Sequence, residues 1–247
     1  MSKVIAVAGG TGLVGAMTVE EVRLAGASPV VVSRSHGVDL TTGDGLAAAL
    51  DGVDAVIDAS NVTTMSGPAS IAFFEAATSH LLAAGAAAGV RHHVALSIVG
   101  CDVVDLPYYL GKRRQEELVA AGPVPWSVLR ATQFHEFAGQ LVERSPRPFA
   151  MAPRMRTQPI AAREVAAALV ATALGDPAGL LPDLGGPRPE PMDQMVRRVV
   201  RTRGPRRLVV PIPMAGRVGR QVKAGGLLPG RGATMGVETF DEWLARV

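Results

Sequence analysis

The chain has 247 residues, 48% of them hydrophobic and 19% charged, with a net charge of +3. That length and apolar content suffice for a full core and exclude whole-chain disorder. A single cysteine, Cys101, excludes an internal disulfide and any metal cluster built on several cysteines of one chain, and it fits a reducing, cytoplasmic compartment.

The first ten residues run apolar only briefly before glycines arrive, so they read as a strand and not as a secretory leader. No stretch reaches the roughly 18 uninterrupted apolar residues of a membrane span, and no membrane partner is expected. Further along, short apolar runs alternate with longer helical patterns. Strands are expected over 3–8, 29–33, 54–59, 92–97 and 126–130, and helices over 13–25, 44–51, 70–89 and 108–121. This alternation predicts an α/β fold, a doubly wound parallel sheet whose apolar strands are covered on both faces. Ile71, Phe74, Thr78, Leu81 and Leu82 recur at helical spacing and read as packing. After Arg130 the rhythm changes. Prolines punctuate 146–159, a helix is expected over 163–174, turns fill 175–191, and helices follow near 191–203 and 214–224 around a strand-like 208–210. Phe240 and Leu244, four apart, mark a short docking helix at the end. Between Arg188 and Arg231 ten arginines and Lys223 face only Glu190 and Asp193. The stretch reads chiefly as a solvated helical surface, with nucleic acid the less favoured partner.

Gly9-Gly10-Thr11-Gly12-Leu13-Val14-Gly15 follows the first strand and opens the first helix, the context a glycine-rich phosphate cradle requires. The early glycines permit a tight turn and close backbone approach to a pyrophosphate, and Gly15 permits close helix-to-strand packing. Gly9, Thr11, Gly12, Leu13 and Val14 are the expected contacts, through free N–H groups and the helix dipole. At the end of the second strand, where a carboxylate would select NAD, the chain has Ser33, Arg34 and Ser35. A guanidinium with flanking hydroxyls suits the 2′-phosphate of NADP(H), although a plain surface arginine fits the same letters. Asp39, with Leu40, is placed to meet the adenine or to cap a helix entry. Ala59, Ser60 and Asn61 close another strand and would lie against the cofactor riboses.

Tyr108-Tyr109-Leu110-Gly111-Lys112 follows Pro107, a residue suited to the first turn of a helix, and sets Tyr108 and Lys112 on one face. With only three lysines and two tyrosines in the chain, this pairing is informative. His135-Glu136 begins like a zinc-protease motif, but Gly139 stands where its second histidine belongs.

The segments GGTGLVG, VVSRS, HHVALSIVG, YYLGK and LRATQF together resemble the short-chain dehydrogenase/reductase family, more narrowly its atypical NmrA-like, NAD(P)H-binding branch. Specific motifs cover about the first 135 residues, while QPIAAREVAAAL and TFDEWL match weakly. The resemblance implies a Rossmann domain over 1–135 and a smaller substrate-side region over 136–247, packed as one unit. It makes Tyr108 the general acid, Lys112 its electrostatic partner and ribose anchor, and Ser97 the group that orients the substrate oxygen. It also sets Thr132 and Gln133 near the nicotinamide. A nearby ammonium should bring the phenol closer to working pH. Ser97 precedes Tyr108 by only eleven residues, and Gly111 weakens the helix between Tyr and Lys. The expected function is an NADPH-dependent oxidoreductase of a small, largely apolar carbonyl or quinone-like substrate, with Phe134, Phe137 and Tyr109 as pocket walls. The alternative is an NADP(H)-sensing regulator without catalysis. The resemblance also marks the helices at 70–89 and 108–121 as faces for a homo-oligomer.

Overall fold

A computed structural model describes residues 2–203 and 207–247. Residues 204–206, within the basic stretch, lie outside the described residues. The five expected strands form as β1 (Val4–Ala8), β2 (Ser28–Val32), β3 (Ala55–Asp58), β4 (His92–Ile98) and β5 (Trp126–Ala131). They align in parallel in the order β2-β1-β3-β4-β5. Because β1 lies between β2 and β3, chain direction across the sheet reverses there, and the crevice outside the carboxyl ends of β1 and β3 is the topological switch point.

Helices cover both faces, which is why the strands carry so few polar residues. On one face α1 (Leu13–Leu24) and α6 (Ala162–Leu174) bury Val14, Val19, Val22, Val165 and Leu169 against Ile5 and Val7. On the other, α2 (Leu46–Ala49) and α3 (Gly67–Ala88) bury Leu46, Ala77, Leu81 and Leu82 against Ala6, Ala8 and Val56. Each such fully buried Leu or Ile contributes about 2 kcal/mol of transfer free energy. Ser66 caps α3, accepting from the Ala69 N–H, and Pro68 sits in its first turn. By length and composition α3 is long and apolar enough to cross a membrane. It lies instead along α4 (Pro107–Ala121), where a Cβ on Gly111 would stand 2.6 Å from the Ser70 carbonyl oxygen and 2.7 Å from the Phe74 ring. The glycine that weakens α4 on propensity is therefore what lets the two helices cross so closely.

Beyond residue 135, part of the chain returns to the sheet. The short strands β8 (Gly179–Leu180) and β9 (Leu184–Gly185) pair in parallel with β5, and β12 (Thr234–Met235) pairs with β9. The rest builds a second core. There α5 (Glu136–Arg144), α7 (Met192–Arg203) and α9 (Phe240–Leu244) pack around Met192, Met195, Val196, Phe240 and Trp243. The parallel ribbon of β6 (Phe149–Pro153) and β11 (Leu208–Ile212) lies against them, and β7 (Arg156–Thr157) pairs with β10 (Glu190–Pro191). A reciprocal capping box between Thr239 and Glu242 starts α9. The remaining helix, α8 (Gly216–Lys223), lays Val218 and Val222 over Tyr109, Cys101 and Leu106. Within the basic stretch three arginines form ion pairs among the described residues. Arg188 and Arg198 pair with Glu190 and Asp241, and Arg217 pairs with Asp105.

Candidate functional site

The turn after β1 is shaped by glycines. Gly9 has φ +73° and donates its N–H to the Val32 carbonyl at 2.9 Å. A Cβ on it would meet the Ala59 carbonyl oxygen and Ser60 Cα at 2.8 Å, so the turn is wedged against the end of β3. Gly12 precedes α1 in extended conformation with no side chain capping the helix, and no acidic residue occupies the first turn. Thr11, Gly12 and Leu13 are exposed, whereas Val14 packs inward. A twelve-residue helix thus presents bare N–H groups and the positive end of its dipole to the crevice. Ser60 lies beside Gly9 with its hydroxyl buried and unpartnered. An uncapped helix start, a turn with no room for a side chain and an orphaned hydroxyl together fit a dinucleotide's phosphates and ribose.

At the end of β2, Ser33 begins a 3-10 turn over Arg34–His36, and its hydroxyl meets Ser35 Oγ at 3.0 Å and His36 Nδ1 at 2.9 Å. Arg34 is exposed. Asp39 accepts from both the backbone N–H and the hydroxyl of Thr41, at 2.8 and 2.6 Å, and these bonds hold its carboxyl below the usual range. Leu40 is buried, and its carbonyl faces His80 Nδ1 at 3.0 Å.

Pro107 opens α4, and the Tyr108 hydroxyl donates to Asn61 Oδ1 at 2.8 Å. Lys112, 4% exposed, donates to the Leu96 carbonyl at 2.8 Å and to Gln115 Oε1 at 2.9 Å, with its ammonium 4.3 Å from the Phe74 ring centre. Burial pushes its pKa down to about 8, against the pull of Asp58. Burial, then Tyr109 and Asp58, raise the Tyr108 phenol above its ordinary value. This reverses the lowering expected from sequence, because burial of the phenol outweighs any help from the Lys112 ammonium, which bonds to Leu96 and Gln115 and not to Tyr108.

Ser97 is buried 3.7 Å from Cys101 Sγ. The Cys101 thiol in turn donates to Glu116 Oε1 at 3.2 Å. Burial and the Glu116 charge push that thiol up to about 12. Arg130 clamps Glu116 through two bonds at 2.6 and 2.9 Å. Burial opposes the charge on Glu116, but the hydrogen bonds led by Arg130 hold its carboxyl below the ordinary value. Thr132 donates to the Gln158 carbonyl at 2.5 Å, and Gln133 donates to the Tyr109 hydroxyl at 2.9 Å while accepting from Thr157.

The structure therefore brings Gly9, Ser60, Asn61 and Tyr108 to one crevice. Among the described residues, Ser97, Tyr108 and Lys112 share no mutual hydrogen bond. Of the expected pocket walls only Tyr109 joins the apolar cluster at Tyr108, with Ile98, Leu106, Met155, Met214 and Val218. Phe134 packs on the sheet core and Phe137 on the second core, because the chain turns into α5 between them. Sequence reasoning missed Asp58 and Gln115. Asp58 is fully buried and accepts from Gln115 Nε2 at 2.8 Å and from the Ser60 N–H at 2.9 Å. A carboxylate ending the apolar run Ala-Val-Ile-Asp was the available signal. A cavity of about 330 Å³ on α7 and α9, lined by Arg198, Arg201, Thr202, Asp241, Leu244 and Ala245, shares no residue with this site.

A family model described as NAD(P)H-binding matches residues 9–177. No curated protein matches the sequence. Among solved structures, the chain is similar to an NADPH-dependent quinone oxidoreductase of Escherichia coli complexed with NADPH. The two are 15% identical with a TM-score of 0.70, over 98% of this chain and 99% of that one. It is also similar to a short-chain dehydrogenase/reductase superfamily protein of Agrobacterium tumefaciens with bound NAD, 19% identical with a TM-score of 0.68, over 98% and 95%. A triphenylmethane reductase of Citrobacter sp. is 17% identical with a TM-score of 0.63, over 86% and 79%. The family model spans the glycine turn, the crevice and strands β2 to β5, so the chain belongs to the NAD(P)H-binding family, and its solved neighbours share its Rossmann fold.

Proposed function

We propose that the chain is an NADPH-dependent oxidoreductase that reduces a small, largely apolar carbonyl or quinone-like substrate, with Tyr108 as proton donor. The observation that carries this reading is the Tyr108 hydroxyl, bonded to Asn61 at the carboxyl end of β3 beside the uncapped start of α1. Gly9, Thr11, Gly12, Leu13 and Val14 would hold the pyrophosphate, and Ala59, Ser60, Asn61 and Lys112 the riboses. Asp39 and Leu40 would border the adenine, and Thr132 and Gln133 the nicotinamide end. Arg34, exposed between two serine hydroxyls with no carboxylate at the end of β2, supports NADPH over NADH. The bound cofactor supplies a hydride. Tyr108 carries its proton at neutral pH as any phenol does and can give it to an oxygen gaining charge; burial raises its pKa and makes it a weaker acid in the free protein. Ile98, Leu106, Tyr109, Met155 and Met214 around it favour an apolar substrate. The experiment is NADPH consumption with a panel of short-chain quinones and apolar aldehydes and ketones, with NADH in parallel. Faster turnover with NADPH on at least one quinone or carbonyl supports the reading, and no turnover with any overturns it.

A second reading, an NADP(H)-sensing regulator without catalysis, draws on one observation: Ser97 and Lys112 are engaged away from Tyr108, with Cys101 and with Leu96 and Gln115. It predicts binding that distinguishes NADP⁺ from NADPH, with no turnover in the same panel.

A further inference from the structure

We propose that Asp58 and Gln115 are positioning residues that hold the Lys112 ammonium and couple its placement to the segment 59–61. The proposal rests on the reading above in taking Lys112 as a group that meets the cofactor.

The geometry is a continuous buried chain. Lys112 donates to Gln115 Oε1, Gln115 Nε2 donates to Asp58 Oδ2, and Asp58 Oδ1 accepts the backbone N–H of Ser60. Lys112, Gln115, Asp58 and Ser60 are all at most 4% exposed, so water is a poor substitute for any link. The Gln115 amide is engaged at both ends, its oxygen by Lys112 and its nitrogen by Asp58. Asp58 has no guanidinium or ammonium in direct contact among the described residues. Its charge is compensated by Lys112 through the intervening amide, and by the Ser60 N–H.

The same short segment holds the other reactive group, since Asn61 accepts the Tyr108 proton donor at 2.8 Å. Residues 58–61 therefore tether both side chains of the Tyr108/Lys112 pair, one directly and one through Gln115. A carboxylate at position 115 would bind Lys112 as an ion pair that is costly to break inside the protein. A neutral amide relays Asp58 without that cost, which leaves Lys112 free to exchange partners when a ligand presses on Ser60 and Asn61. The charged and titratable groups facing Lys112 are Asp58 from β3, Cys101 from the turn after β4 and Glu116 from α4, and Asp58 in turn faces His93 on β4.

With only three lysines, the chain suits a direct spectroscopic test. The full-length protein is labelled with carbon-13 at lysine Cε, whose shift follows protonation of Nζ, and Lys112→Met assigns its resonance. The apparent pKa of Lys112 is read in wild type, Asp58→Asn, Gln115→Leu and Gln115→Glu, and each is then titrated with NADP⁺. The expected results are a midpoint lowered by about one pH unit, a tenfold loss of proton affinity, in Asp58→Asn and Gln115→Leu, and a raised midpoint in Gln115→Glu. NADP⁺ moves the Lys112 resonance in wild type. If NADP⁺ binds without moving it, the cofactor-facing reading of Lys112 fails. If NADP⁺ moves it but the midpoints match wild type in the folded variants, the positioning role is overturned. Should Asp58→Asn and Gln115→Leu not fold, an unchanged midpoint in Gln115→Glu overturns it equally.

Discussion

Replacing Gly15 by alanine tests the phosphate cradle at its tightest point. A Cβ there would stand 2.7 Å from the Gly9 carbonyl carbon and 2.9 Å from Gly10 Cα, and closer still to the Gly9 oxygen, where ordinary contact begins near 3.4 Å. Relief of the contact with the Gly9 oxygen requires α1 to retreat from the turn by more than about 1 Å, a backbone shift of the kind that costs about 1–3 kcal/mol. Alanine returns about 1 kcal/mol of helix propensity, so the free protein loses little stability. Binding does not share that offset, because the bound state needs the N–H groups of α1 at their original distance from the turn. A cost of about 2 kcal/mol there weakens dinucleotide affinity about thirtyfold. The assay is fluorescence titration with NADPH, alongside thermal melts with and without the ligand. A variant that melts within a few degrees of wild type but has lost ligand-induced stabilisation agrees with the geometry. Wild-type affinity in Gly15→Ala would refute the cradle as the phosphate site.

Two further outcomes are expected from the same geometry. Arg34→Ala should weaken NADPH about tenfold and leave NADH unchanged, since only the 2′-phosphate uses a charge-assisted bond there; equal losses for both cofactors would place Arg34 elsewhere. His135 is fully buried against the stacked Phe240 and Trp243 rings, with Nε2 donating to the Glu238 carbonyl at 3.1 Å, and burial pushes its pKa from 6.5 to about 4. The folded state therefore favours the neutral ring. Stability is full above pH 6.5 and falls as pH drops towards 4, by up to about 3 kcal/mol. Urea midpoints at pH 7 and pH 4.5 should differ, and less so in His135→Gln; equal differences would show that other groups carry the acid loss.

The sheet was legible because burial on both faces leaves no alternative to apolar runs, so all five strands fall within two residues of their expected bounds. The tight glycine turn after β1 was legible because its glycines answer to backbone geometry, Gly9 by its positive φ and Gly15 by contact. The chain beyond residue 135 was less so. There α5 went unread behind a failed zinc motif, and β6 hid among the prolines at 146–159, although Ala150 and Ala152 alternate with exposed Phe149 and Met151. The partners of the Tyr/Lys pair were not legible at all. Spacing sets Tyr108 and Lys112 on one helical face, but only the fold reveals that Asn61 and Gln115 take their hydrogen bonds. Gly111 carried a misleading signal, since its cost to α4 is visible in sequence and its contact with α3 is not.

The account turns on Tyr108, and the measurement that tests it most directly is the rate of quinone-dependent NADPH oxidation in wild type and Tyr108→Phe, with NADPH affinity measured on the same samples. The predicted result is a fall in turnover of about 100-fold or more with cofactor binding retained, the loss expected when a general acid is removed. Turnover in Tyr108→Phe equal to that of wild type would contradict it.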